Sequence, residues 1–126
     1  MDARLRQFVR QRANFRCEYC GIREEQEPLF PFHVEHIIPR SHAGGNHPNN
    51  LALACLHCNA CKGTNVAGHD PDTGQLTRLF DPRRDEWSTH FARQRTRIVG
   101  LTPVGPVTVW LLRMNEDRRP ELRAVL

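Results

Sequence analysis

The stretch His33–Gly63, HVEHIIPRSHAGGNHPNNLALACLHCNACKG, decides how this chain folds. From Leu29 to Ile38, Phe30, Phe32 and Val34 alternate with polar or prolyl neighbours, which predicts a strand buried on one face and ended by Pro39. Ser41 to Pro48 is a loop rich in Gly and His, and Leu51–Ala54 reads as a second short strand, so the two form a hairpin with a wide loop. Cys55 to Lys62 reads as a knuckle running into a helix that is interrupted near Gly63. Strict alternation sends Glu35 and His36 to opposite faces, and both can serve one site only if the strand twists or ends there. Asn59 directly follows Cys55-x-x-Cys58. Oxygen and nitrogen donors therefore lie beside a thiolate pair, a grouping that packing alone does not require.

Outward from this stretch, Cys17-Glu18-Tyr19-Cys20-Gly21 is a second knuckle, with Gly21 free to take the positive φ such turns need. Two Cys-x-x-Cys pairs can deliver four thiolates to one structural zinc, with Zn–S near ~2.3 Å. Cys17, Cys20, Cys55 and Cys58 fit this pattern. Cys58 and Cys61 form an alternative pair, and His57 could also coordinate. The first choice is preferred because its knuckle closes before Asn59 and leaves Cys61 as a free, buried thiol. Five cysteines without an N-terminal signal pattern favour thiolate ligands over disulfides, and hence a cytoplasmic setting.

The chain has 126 residues, an apolar fraction of 39 % and a formal charge of +4. This suits a single domain over residues 1–126, with a small core that leans on metal for part of its stability. No long apolar run suggests a membrane span. The basic balance is compatible with a polyanionic partner, although Lys62 is the only lysine among the cations. Asp2 can cap a helix with Leu5, Phe8, Val9 and Ala13 at helical spacing and a stop at Asn14. Its Arg4, Arg6, Arg10 and Arg12 read either as a phosphate-tracking face or as solvated surface.

The polar run Ile22 to Glu27 reads as loop, and so does Thr64 to Gln75, with turns at Gly68, Pro71 and Gly74. In the extension, residues 76–126, Leu76, Leu79, Phe80, Trp87 and Phe91 read as core anchors. A strand is predicted over Arg97–Leu101. Thr102-Pro103 then caps an apolar helix over Val104–Met114, and a last helix from Pro120 buries Leu122, Val125 and Leu126.

The combination C-x-x-C-G, VEHIIPRS with GG, and Asn50-Leu51 before C-x-x-C-N-x-x-K-G resembles the HNH endonucleases of the ββα-metal, or His-Me finger, type with zinc knuckles. The likeness runs from Cys17 to Gly63, the core. W-x-x-H-F at Trp87 and IVGLTPVG at Ile98–Gly105 are similar to the tail of many small bacterial members. The resemblance implies an α+β fold: a zinc-stapled ββα-metal core with an N-terminal helix and a C-terminal strand and helix extension.

The resemblance further implies His36 as general base, Glu35 and Asn59 as ligands of a catalytic Mg²⁺ or Mn²⁺, and Asn50 as the brace that orients His36. Here the third letter of HNH is Asn, and Glu35 stands where Asp is commonest. Such a site would hydrolyse phosphodiester bonds in DNA. An imidazole takes the proton from water, and the metal neutralises the phosphate and the leaving 3′ oxygen. Lys62 and Arg40 are candidate phosphate contacts. The rival readings are a non-catalytic zinc-ribbon-like module that grips nucleic acid, and a nuclease acting mainly on RNA or structured junctions. Glu35, His36 and Asn59 together argue against the first, because a pure ribbon has no use for them.

Overall fold

A computed structural model describes residues 1–125. Helix α1 (Ala3–Arg12) is followed by strands β1 (His33–His36) and β2 (Leu51–Ala54), and by helix α2 (Leu56–Lys62). The second half comprises β3 (Ala67–His69), β4 (Leu76–Arg78), a helical turn α3 (Trp87–His90), β5 (Phe91–Gln94), β6 (Arg97–Gly100), α4 (Val104–Leu111) and α5 (Arg119–Ala124). The strands form three antiparallel pairs, β1 with β2, β3 with β4, and β5 with β6. Among the described residues, no helix is long and apolar enough to cross a membrane.

The core hairpin and helix follow the sequence closely. Glu35 faces Ala52 and His36 faces Leu51 across the ladder, and all four β2 side chains are buried. Cys55 caps α2 through its sulfur, and Gly63, at φ +52°, ends it. Asp2 caps α1 by accepting from Leu5 N at 2.8 Å. The hairpin loop closes on Gly44, where a Cβ would collide with the Ile38 carbonyl oxygen.

Four expectations are corrected. Strand β1 is shorter than Leu29–Ile38: Pro28 and Pro31 withhold N–H donors, Leu29 and Phe30 are exposed, and Phe32 enters the core ahead of the strand. Ile22 to Glu27 is not plain loop, since Ile22 is fully buried, Arg16 bridges Arg23, and Glu24–Gln26 forms a 3₁₀ turn. Thr64 to Gln75 contains β3, paired with β4, whose Leu76 is exposed rather than a core anchor. Strand β5 is likewise a pairing partner for β6 that the sequence reading lacked.

In the extension, Leu79, Phe80 and Phe91 are buried and Trp87 is half-buried. Helix α4 stops at Leu111, and Thr102 does not cap it, because its hydroxyl meets His90 Nδ1 at 2.5 Å instead. Gly100 and Gly105 explain the IVGLTPVG run. A Cβ on Gly105 would strike the His90 carbonyl and the Gly100 Cα, so the two glycines let α4 start directly against β6. Helix α5 buries Arg119 and Arg123, with Leu122 half-buried and Val125 exposed. Leu126 lies outside the described residues.

Candidate active site and zinc centre

The two knuckles meet. The Sγ atoms of Cys17, Cys20, Cys55 and Cys58 all lie within 4.8 Å of one another, and Cys20 and Cys55 are 3.8 Å apart. A tetrahedral zinc with Zn–S near ~2.3 Å separates its sulfurs by roughly 3.8 Å, so this donor set fits the ion. Backbone amides within each knuckle turn toward sulfur, Cys20 N to Cys17 and Cys58 N to Cys55. All four cysteines are buried, and burial pushes the Cys17 thiol well above its usual range. A cation offsets that cost by stabilising the thiolates.

The alternative register does not form. Cys61 is half-buried rather than buried, and it stands outside the cluster, with its sulfur 3.8 Å from His57 Nε2. His57 itself meets the carbonyls of Leu112 and Arg113 at 2.9 and 3.0 Å.

Arginines from the extension close over the zinc centre. Arg119 Nη2 donates to Cys55 Sγ at 3.2 Å, while Glu27 holds the same guanidinium at 2.6 and 3.3 Å. Arg123 donates to the carbonyls of Cys20, Thr96 and Met114. Zinc with four thiolates is doubly negative, and a buried guanidinium on one sulfur partly compensates that charge.

At the other end of the hairpin, Asn50 braces the loop. Its Oδ1 accepts from Ile38 N at 2.9 Å, and its Nδ2 donates to the carbonyls of Ile38 and Gly45, each at 2.9 Å. Arg12 reinforces the same corner from α1 by donating to the carbonyls of Pro48 and Leu51 at 3.0 and 2.7 Å. With Arg10 paired to Glu24, only Arg4 and Arg6 of the four α1 arginines stay exposed without a protein partner among the described residues.

His36 is half-buried at the loop mouth, with Nε2 2.7 Å from Asn46 Oδ1. The same oxygen accepts from Arg40 Nη2 at 3.2 Å. Arginine can only donate, so this Asn46 atom is an acceptor and Nε2 of His36 carries the proton between them. In the neutral ring the lone pair is then on Nδ1. Asn46 was not foreseen in the sequence, where a polar residue inside a Gly- and His-rich loop carries no periodic signal.

Glu35 leaves β1 on the opposite face and is buried. The Tyr19 hydroxyl donates to Oε1, and Lys62 Nζ lies 3.1 Å from Oε2. Burial pushes the Glu35 carboxyl above its usual range, against the pull of Lys62 and Tyr19. Lys62, 1 % exposed, also donates to the carbonyls of His36 and Ile37 at 3.2 and 3.0 Å. This corrects the expectation that Lys62 contacts phosphate: its ammonium is enclosed and shared among three acceptors. Arg40 is exposed. Asn59 is half-buried and lies one turn before Lys62 on α2. Among the described residues, no side-chain hydrogen bond joins Glu35, His36 and Asn59.

Residues 17–65 match the family model described as HNH endonuclease. No curated protein and no solved structure matches the chain. The matched segment contains both knuckles, the β1–β2 hairpin and α2, so the likeness to HNH endonucleases covers the core and includes the four-cysteine cluster that fits zinc.

Proposed function

We propose that the chain is a metal-dependent endonuclease that hydrolyses phosphodiester bonds in DNA. The observation that carries this reading is His36, whose Nε2 is committed to Asn46 while Nδ1 has no protein partner among the described residues, at a half-exposed loop mouth. A neutral imidazole held in one tautomer is what proton abstraction from water requires. Arg40, tied to the same Asn46, offers a guanidinium to the phosphate.

Glu35 and Asn59 would hold Mg²⁺ or Mn²⁺, since a carboxylate and an amide oxygen suit a hard ion. When bound, that ion supplies positive charge to the phosphate and the leaving 3′ oxygen. Lys62 keeps the carbonyls of His36 and Ile37 as hydrogen-bond acceptors when Glu35 takes up an ion. Reduced thiols on zinc suit a cytoplasmic setting.

The test is cleavage of plasmid DNA, linear DNA and RNA by zinc-loaded protein with Mg²⁺ or Mn²⁺. The parent should nick or cut DNA. His36→Ala should lose roughly 10²-fold or more in turnover, with DNA binding and zinc content unchanged. Turnover within about tenfold of the parent would remove His36 from the role of base. Binding without cleavage by the parent under every metal would favour a zinc-ribbon-like binding module, and preferential cutting of RNA would move the substrate class.

A further inference from the structure

Glu35 is held from two sides by residues that hang from the two zinc knuckles. Tyr19 lies between the ligands Cys17 and Cys20, is 1 % exposed, and donates its hydroxyl to Glu35 Oε1. Lys62 ends the helix that Cys55 caps, and it reaches Oε2 at 3.1 Å. The tyrosine has little freedom to move. Trp87 Nε1 donates to its carbonyl at 2.8 Å, Phe80 meets its ring edge-on at 6.3 Å, and Glu18 beside it pairs with Leu53 of β2 through both backbone and side chain.

We propose that Tyr19 is a positioning residue that transmits the geometry of the zinc knuckle to Glu35, fixing the carboxylate that receives the catalytic divalent ion. This inference rests on the assignment of Glu35 as a ligand of that ion. The physical reason is orientation. A buried carboxylate without a donor on Oε1 can rotate about its terminal torsion, which is broad, and present a different oxygen. Tyr19 O–H engages Oε1 and leaves Oε2 facing Lys62 and α2, the helix that carries Asn59. Zinc and the hydrolytic site would then be linked through one side chain, although their ligands share no atom.

Tyr19 is the only tyrosine in the chain, which permits a direct test. Protein grown with 3-fluorotyrosine carries one ¹⁹F probe, on the ring whose hydroxyl touches Glu35. Titration of the zinc-loaded protein with Mg²⁺ should shift that resonance, with a midpoint matching the Mg²⁺ dependence of cleavage, and the shift should vanish in Glu35→Gln. Tyr19→Phe should require about tenfold more Mg²⁺ for half-maximal cleavage, the lower end of the loss expected when the partner of a metal ligand is removed. Its turnover at saturating Mg²⁺ should return toward the parent value, and its zinc content should not change. A silent resonance in a protein whose cleavage saturates with Mg²⁺ would overturn the proposal. A Tyr19→Phe protein with the parent's Mg²⁺ dependence would do the same. If Glu35→Gln keeps the parent's Mg²⁺ dependence, the assignment of Glu35 fails and this inference fails with it. If Glu35→Gln loses that dependence while Tyr19→Phe does not, the role of Tyr19 alone is refuted. The fluorine titration needs no substitution at Tyr19, so it decides the matter even if Tyr19→Phe does not fold.

Discussion

The two ends of the β1–β2 hairpin are built on opposite principles. At the knuckle end, four cysteines no more than 2 % exposed converge on one point and are closed over by Arg119 and Arg123. At the loop end, His36 is half-buried and its partners Asn46 and Arg40 are exposed. The first end excludes water from soft donors that a metal must neutralise. The second keeps hydrogen-bonding side chains at the surface, open to solvent. A small domain can therefore place rigidity and access only a strand's length apart, provided the strand connecting them is itself buried, as β2 is throughout.

The largest effect that would sharpen this contrast comes from the knuckle end. Replacing Cys17, Cys20, Cys55 or Cys58 by Ser, or stripping zinc with a chelator, should abolish the cooperative unfolding transition. Structural zinc contributes on the order of 10 kcal/mol, as much as the whole stability of a typical domain. Elemental analysis of the parent should find about one zinc per chain. Folded protein without zinc would erase the distinction between the two ends.

Outside the four cysteines, changes to the proposed ligands of the divalent ion should alter chemistry before they alter folding. Asn59→His adds a nitrogen donor, so it should move metal preference toward Ni²⁺, Co²⁺ or Zn²⁺ and raise the Mg²⁺ requirement for cleavage by at least about tenfold. The check is cleavage rate against metal concentration, with the structural zinc in place. Identical metal profiles for the parent and the variant would separate Asn59 from the metal.

A smaller and mixed effect is expected from the brace of the loop end itself. Asn50→Ala removes three hydrogen bonds from the loop. Because that corner is exposed, the loss of stability in a urea titration should be only about 1–2 kcal/mol. Cleavage should fall more steeply than stability, because Ile38 and Gly45 no longer fix the loop that presents His36. A proportional loss of both would show that Asn50 serves the fold alone. The smallest effect belongs to Cys61→Ser, which should change stability by less than ~1 kcal/mol and leave zinc content intact. Loss of zinc there would mean that the knuckle uses Cys61 in solution.

Much of the core was legible because its signals are local. Two spaced cysteine pairs, a second strand of four apolar residues and a glycine stop each act within a few positions, and the structure places the knuckles, β2 and α2 accordingly. The hairpin of β3 and β4 was not legible, because Ala67-Gly68-His69 and Leu76-Thr77-Arg78 lack apolar alternation and Leu76 is exposed. Helix α5 misled for the opposite reason. Leu122 and Val125 look like its inward face, yet Arg119 and Arg123 are the side chains it buries, since their acceptors are a sulfur and carbonyls supplied from distant positions. Lys62 hides its role in the same way, because only the folded chain brings Glu35 within its reach.

The reach of Arg119 to Cys55 spans 64 residues of sequence, and that interval is also a delay. A ribosome extends a chain at about 5–20 residues per second, so the last thiolate emerges on the order of several seconds before the guanidinium that covers it. During that interval the knuckles can capture zinc while their sulfurs are still open to solvent, and α5 then arrives as a closing strap. In the finished protein that guanidinium still lies on Cys55 Sγ, so removing α5 should speed the exchange of zinc.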